Sequence, residues 1–549
     1  MATTDIRSRI EKLWPKAHDV PGTHDFAPGG GLYERGDLYL VDGEVRKWSG
    51  AMEKVYSPLC VEGRDGQIAP RLIGHAASLD AQTAGEAMGA AVRAYERGRG
   101  KWPQMKVAER IQCVEHFAEL MSGTREEVVR LLMWEIGKSR KDCEKEFDRT
   151  VEYIHDTVDA LKEVDRSGGR FQLHDGILAQ IRRSPLGVTL CMGPYNYPLN
   201  ETFTTLIPAL IMGNTVVCKL PRFGVLCSAP LLRCFATAFP AGVVNIVNGD
   251  GPVVVGPAIS NEHLAALAFI GSAKVANILK RQHPKPNRLR CILGLNAKNP
   301  GIVLPDADLD LTVEQVVMGA LSFNGQRCTA LKLIFVHKSI ADAFVAKLAA
   351  AVDALPFGLP WDPGVKLTPL PEPGKAEYLQ GLVDDAAQLG AKSANRFGGL
   401  SNRSFYFPSV LYPVNAKMRA YHEEQFGPVI PVVPYEDVKE VLDYVTAVPF
   451  GQQASVFGHH PAVVGPLVDV LVHEVCRVNL NAQCQRGPDV YPFTGRKDSA
   501  EGTLSVGDAL RCFSIRSMVA APSNGANKEL LQGVLLQRTS NFINTDYIF

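Results

Sequence analysis

Pro185-Leu-Gly-Val-Thr-Leu-Cys-Met-Gly-Pro-Tyr-Asn-Tyr-Pro198 decides the fold. A short β-branched run ends in a Gly-Pro turn, and a helix is expected directly after it, over 199–212. The texture then repeats. Thr215-Val-Val-Cys-Lys219, Val243-Val-Asn-Ile-Val247 and Ala266-Leu-Ala-Phe-Ile270 alternate with helices expected over 225–239 and 273–282. Such alternation means βαβ units and a parallel sheet. Ligands of these sheets bind at the carboxyl ends of the strands. Here those ends read Gly193-Pro-Tyr-Asn196, Lys219-Leu-Pro-Arg222, Asn248-Gly-Asp-Gly251 and Gly271-Ser272. No G-x-G-x-x-G follows a strand, so the ordinary dinucleotide fingerprint is absent.

Upstream, Ala81 to Leu161 has helical pattern, and Phe147, Val151, Ile154, Val158 and Leu161 make one buried stripe. Arg149 falls off that stripe and by default is a solvated charge. Thr124-Arg-Glu-Glu127 reads as a capping box, with Gly137 placed to stop the helix it starts. Residues 1 to about 80 read as an extended, weakly structured arm. Residues 168–182 alternate around an Asp-Gly turn and predict a β-hairpin able to pair with another subunit.

Downstream, a second α/β stretch over 294–481 carries Leu321-Ser-Phe-Asn-Gly-Gln-Arg-Cys328. A cysteine reacts as thiolate, and a neighbouring cation or helix N-terminus lowers its pKa. Arg327 and a helix expected to begin near Thr329 would supply both. Taken alone, one of twelve cysteines is more often a small buried hydrophobe.

At 549 residues the chain exceeds one ordinary core. Lys plus Arg equals Asp plus Glu at 58 each, which gives no support for a nucleic-acid or membrane-surface partner. The N-terminus shows no apolar signal segment. The apolar run 206–220 is broken by Pro208, Gly213, Asn214 and Lys219, so no membrane span is expected. With no C-x-x-C pair, neither a metal site nor a disulfide framework is expected, and a cytoplasmic setting fits reduced thiols. The tail from Ser523 ends in Tyr547-Ile-Phe549 and reads as a mobile extension or a docked arm.

Four stretches together resemble the aldehyde dehydrogenase superfamily: 185–198; Ala209-Leu-Ile-Met-Gly-Asn-Thr-Val-Val-Cys-Lys219; Phe323-Asn-Gly-Gln-Arg-Cys328; and Glu423-Glu-Gln-Phe-Gly-Pro428. Cys484-Gln-Arg-Gly-Pro-Asp489 is similar to the C-terminal signature of the non-phosphorylating, NADP-dependent glyceraldehyde-3-phosphate dehydrogenases within it. The resemblance implies an α/β fold with a Rossmann-type cofactor domain, an α/β catalytic domain and a small β oligomerisation element. The expected segments are 1–166 (arm and helices), 167–186 (hairpin), 187–293 (cofactor domain), 294–497 (catalytic domain), 498–520 (oligomerisation strand, including Arg511–Val519) and 521–549 (extension).

By the same resemblance Cys328 attacks an aldehyde carbonyl and Asn196 receives the oxyanion. Lys219 meets the adenosine ribose, Gly271 and Ser272 the pyrophosphate, and Glu424 with Phe426 the nicotinamide end. Arg222 stands where NAD-preferring members usually carry Glu, and a guanidinium suits a 2′-phosphate, so NADP is expected, with NAD as the alternative. Arg327, Arg486 and Arg149 match arginines that hold a substrate phosphate. A homodimer or homotetramer acting on a small aldehyde is expected.

Ile292-Leu-Gly-Leu-Asn-Ala-Lys298 departs from the family's Glu-Leu-Gly-Gly-Lys. Gly294 stands where the general-base Glu is usual. Three readings follow: oxidation to the acid with another base, acyl transfer to coenzyme A as in methylmalonate-semialdehyde dehydrogenases, or a cofactor-binding protein with little turnover. Ala276, where Gly is usual, is expected to crowd the pyrophosphate.

Overall fold

The structure is a computed structural model that describes residues 2–16, 19–20 and 31–546. Val188–Met192 is a strand buried along its whole length, and the helix Asn200–Ile211 follows it. Five parallel strands run side by side: Val244–Val247, Thr215–Lys219, Val188–Met192, Leu264–Ile270 and Arg290–Gly294. Helices cover both faces of this sheet, which is why its strands read as continuous apolar runs. The helix Ala273–Gln282 forms as its pattern implies. The one expected over 225–239 is split. Leu226–Leu231, containing Pro230, is a 3-10 segment, and the α-helix is confined to Leu232–Ala238. Proline has no N–H to donate to the preceding turn.

The expected weak N-terminal arm is corrected. Ala2–Glu11 is helical. Leu38–Val41 and Glu44–Lys47 extend the parallel sheet to eight strands, with Ala500–Glu501 on the opposite edge. Met52–Glu62 and Ile68–Ala77 form a long hairpin. The hairpin of Leu38–Val41 with Glu44–Lys47 turns at Asp42-Gly43, a local signal the sequence reading passed over, whereas its docking onto Val244–Val247 is long-range and local pattern could not reveal it. The expected capping box is also absent: the Thr124 hydroxyl donates to Met121 O at 2.7 Å, and Glu127 accepts from Tyr33 and Arg35. Gly137 does end the helix Arg125–Ile136, in the left-handed conformation at φ 75°.

A second sheet has seven strands: Lys392–Ser393, Ser409–Tyr412, Val429–Tyr435, Leu331–His337, Asn299–Val303, Gln453–Phe457 and Arg477–Leu480, all parallel except the first. A third, antiparallel, joins Phe171–His174, Ile177–Pro185 and Ser514–Pro522. Its hairpin turns at Asp175 and Gly176, both with positive φ (46° and 75°), the geometry an Asp-Gly pair favours. The expected strand at Arg511 starts only at Ser514, because Arg511 and Cys512 end the helix Val506–Cys512.

The tail forms the helix Gly525–Gln537 and then docks. Gln180 Nε2 donates to Asn544 O and Asn541 Nδ2 to Gln104 O, both at 2.6 Å, and Lys106 pairs with Asp546. Tyr547-Ile-Phe549 lies outside the described residues. Among those described, no helix is long and apolar enough to cross a membrane.

Candidate active site

A cavity of about 1080 Å³ opens at the carboxyl ends of the larger sheet's parallel strands. Loops of the second sheet close it. All the sequence-predicted site residues line it: Arg149, Asn196, Lys219, Arg222, Gly271, Ser272, Arg327, Cys328, Glu424, Phe426 and Arg486.

Cys328 sits in a tight turn between the helix Leu309–Leu321 and the strand Leu331–His337. Phe323, Asn324 and Gly325 all have positive φ. Asn324 is pinned by its amide to Thr368 O and by Thr368 N to its carbonyl. The Cys328 carbonyl accepts from Asn299 Nδ2 at 2.7 Å and Lys332 Nζ at 3.2 Å. Backbone strain is thus held by buried hydrogen bonds on both sides of the thiol. Burial pushes the thiol pKa up and the Glu201 charge adds to it, while Lys332 and Arg486 act the other way.

The expected electrostatics of Cys328 need correction. No helix starts at Thr329; the chain enters a strand. The Arg327 guanidinium turns back to Gly319 O at 2.8 Å and Met318 O. Lys332, four residues on, is the cation beside the thiol. Sequence reading missed it because it looks like an ordinary strand residue.

Asn196 follows the strand Val188–Met192, and its amide donates to Gln326 O at 2.8 Å, two residues from Cys328. Behind it, buried Glu146 accepts from Leu199 N (3.1 Å) and Asn200 N (3.2 Å) on one oxygen and pairs with buried Lys138 on the other. A carboxylate at a helix start satisfies orphan N–H groups and complements the dipole. Lys138 also stands 3.5 Å above the Tyr197 ring. The turn carrying Asn196 is therefore clamped.

Lys219 and Arg222 have no hydrogen-bond partner among the described residues; burial lowers the Lys219 pKa. A β-carbon at Gly271 would lie 2.3 Å from Phe269 Cζ, so no other residue fits there without a shift. The Ser272 hydroxyl caps the helix Ala273–Gln282 at Val275 N. Ala276 does not crowd this wall: it is buried in the core, and Val275 and Leu279 face the cavity instead. Glu424 accepts from Asn296 Nδ2 (2.7 Å), Ala297 N (3.2 Å) and Lys332. Phe426 takes φ 44° and packs edge-on to Tyr195.

Arg149 is not a freely solvated charge. It forms a two-pronged pair with Asp489 at 2.7 and 2.8 Å. Buried Arg486 bonds Asp489 at 3.0 Å, Leu504 O at 3.0 Å and Glu201. Two guanidiniums and two carboxylates make a balanced cluster, which keeps buried arginines from carrying an uncompensated charge. Glu201 was not singled out from the sequence; its only signal is its place five residues after Asn196. Gly294 lines the cavity without a side chain, and a β-carbon there would meet Leu504 Cδ1 at 3.3 Å and Ile270 Cγ1 at 3.4 Å.

Two α/β sheets, a small antiparallel element and a cavity holding a cysteine that follows a strained turn define a known class. The aldehyde dehydrogenase family model matches residues 68–519, and the chain belongs to that family of oxidoreductases acting on aldehydes. More particularly, the chain is similar to the NADP-dependent glyceraldehyde-3-phosphate dehydrogenase of Streptococcus equinus, 34% identical over 428 residues, 77% of this chain and 87% of that protein. The enzyme of the same name from Pisum sativum is 31% identical over 425 residues, 75% of this chain and 83% of that one. Among solved structures, the NADP complex of the Bacillus halodurans C-125 NADP-dependent glyceraldehyde-3-phosphate dehydrogenase superposes with a TM-score of 0.81 at 30% identity, covering 89% of this chain and 99% of that one.

Proposed function

We propose that this chain oxidises a small, phosphorylated aldehyde such as glyceraldehyde-3-phosphate to its acid, with NADP as acceptor. The observation that carries the reading is the convergence of Cys328, Asn196 and the Lys219–Arg222 pair on one cavity. Two cations at the end of the strand Thr215–Lys219, without an ion-pair partner among the described residues, suit a dinucleotide bearing an extra phosphate. Lys219, Arg222, Gly271, Ser272, Glu424 and Phe426 would hold it, and when bound it supplies the two-electron acceptor. Cys328 adds to the carbonyl carbon, the Asn196 amide receives the charge on oxygen, and the acyl group is left on sulfur as a thioester. Such preorganised donors are typically worth about 10²–10³ in rate. The phosphate is assigned first to Arg327; Arg486 and Arg149 line the same cavity but are already paired with Glu201 and Asp489, so they would add their field rather than a free guanidinium. The Nε of Arg327 is buried without a partner among the described residues, and an anion there would satisfy it. Around this site, 187–293 is read as the cofactor domain, 294–497 as the catalytic domain, and 167–186 with 498–520 as the contact to a second subunit.

A second reading is acyl transfer to coenzyme A, and Gly294 favours it: position 294 has no group to activate water. Rapid mixing with NADP and glyceraldehyde-3-phosphate separates the two. The expected result is a burst of reduced cofactor, one per Cys328, followed by a slower phase that yields acid. Acceleration of that phase by added coenzyme A, with no acid formed, selects the second reading. No reduced cofactor with any aldehyde would sink both.

A further inference from the structure

Hydrolysis of a thioester needs a group that takes a proton from water, and position 294 has none. We propose that Glu201 is that general base. This rests on the reading that water is the acyl acceptor.

Five carboxylates line the cavity: Asp142, Glu146, Glu201, Glu372 and Glu424. Two of them have both oxygens engaged, and two more have one. Glu146 has Lys138 on one oxygen and two backbone N–H groups on the other. Both oxygens of Glu424 are taken by Asn296, Ala297 and Lys332. Glu372 accepts from Tyr195 and pairs with Lys375, beside Phe426. Asp142 accepts from Ser139. Glu372, Asp142 and Glu201 each keep one oxygen without a hydrogen-bond partner among the described residues, and of these three only Glu201, held by Arg486 through Oε2, stands on the helix that follows Asn196.

Its position is suitable. Glu201 lies in the first turn of the helix that follows Asn196. Glu201, Asn196 and Cys328 line one cavity, and the Glu201 charge pushes the Cys328 thiol pKa up. Next to Glu201, Asn200 is 1% exposed, lines the same cavity, and has neither amide atom partnered among the described residues. A buried amide in that condition is a ready ligand for an ordered water. At Gly294, by contrast, Leu504 and Ile270 crowd the first atom of any side chain.

In the step, water oxygen bonds to the acyl carbon while Oε1 of Glu201 takes its proton. The C–S bond then breaks, its electron pair returning to Cys328 as thiolate, and the acid departs. The proton on Glu201 passes to the thiolate or to solvent, which restores the starting state. Arg486 fixes the carboxylate throughout.

The test needs no cofactor, so its failure and that of the aldehyde reading can be told apart. p-Nitrophenyl acetate acylates a reactive thiol and releases coloured nitrophenolate, and turnover then waits on deacylation. The full chain should give a burst equal to its Cys328 content, absent in Cys328→Ser, then steady turnover. Glu201→Gln keeps an acceptor for Arg486 but removes the base. It should retain the burst, lose about 10²-fold or more of the steady rate, and leave acetyl on the Cys328 peptide in mass spectra. Glu201→Asp should recover part of the loss. The acid limb of the steady-state pH profile should vanish in the Gln variant. A Gln variant that deacylates at the full rate overturns the proposal. So does one that loses burst and turnover in equal measure, since that marks a positioning role. No burst from the unchanged chain would remove Cys328 as nucleophile, and the proposal with it.

Discussion

Cys328 is held where its ionisation is contested. Burial and Glu201 disfavour the thiolate; Lys332 and Arg486 favour it, and the first pair prevails. Alkylation by iodoacetamide should therefore follow an inflection above the usual thiol range, the rate rising with pH through it. Glu201→Gln removes a negative charge and should move that inflection to lower pH. An inflection that stays put would show that Glu201 does not reach the sulfur. Arg222 permits a separate experiment. Arg222→Glu puts a carboxylate where a 2′-phosphate would lie, and should raise KM for NADP at least about tenfold while NAD is spared. Unchanged preference would remove Arg222 from that contact. The site residues legible in the sequence were those inside stretches that carry the family resemblance, Asn196, Lys219, Cys328 and Glu424 among them; taken singly, each has an ordinary structural reading. Lys332 and Glu201 were illegible because a strand lysine and a first-turn glutamate are ordinary, and only the fold reveals what they face.

At the scale of elements, the parallel strands could be read because each is an uninterrupted apolar run closed by Gly or Pro. Edges could not. Leu38–Val41 owes its place to Val244–Val247, and Ala500–Glu501 to Arg290–Gly294. One junction carries a titratable group worth testing. Glu135, fully buried at the end of the helix Arg125–Ile136, accepts from Val225 N, Leu226 N and Cys227 N at the start of the 3-10 segment. Burial raises its pKa to about 7 against the ordinary 4.5, although the backbone donors pull it down. The folded state therefore binds the proton more tightly than the unfolded one. The stability this contributes is complete below about pH 4.5 and is lost as pH rises through 7. Denaturant titrations should show the stability difference between the native chain and Glu135→Gln falling by about 1.4 kcal/mol per pH unit across that window. A difference constant with pH would mean that Glu135 ionises normally.

In the whole molecule, the antiparallel element leaves apolar side chains in water. Ile515 is 51% exposed, Met518 62% and Leu173 58%, and Phe171–His174 is an edge strand. Such a surface is a liability unless covered. A second copy of the chain covering it is the expected remedy. Sedimentation should find a dimer or tetramer, and Met518→Glu should shift it toward monomer; a native chain that sediments as monomer ends that expectation. The clamp behind Asn196 carries a different implication. Lys138 and Glu146 secure the start of the helix Asn200–Ile211 from the protein side, while residues 200 and 201 of the same turn look into the cavity. Anchorage and proposed chemistry are thereby assigned to opposite flanks of one helical turn. Changes on the inner flank, Glu201 included, should therefore alter what the cavity does without loosening the turn that carries Asn196.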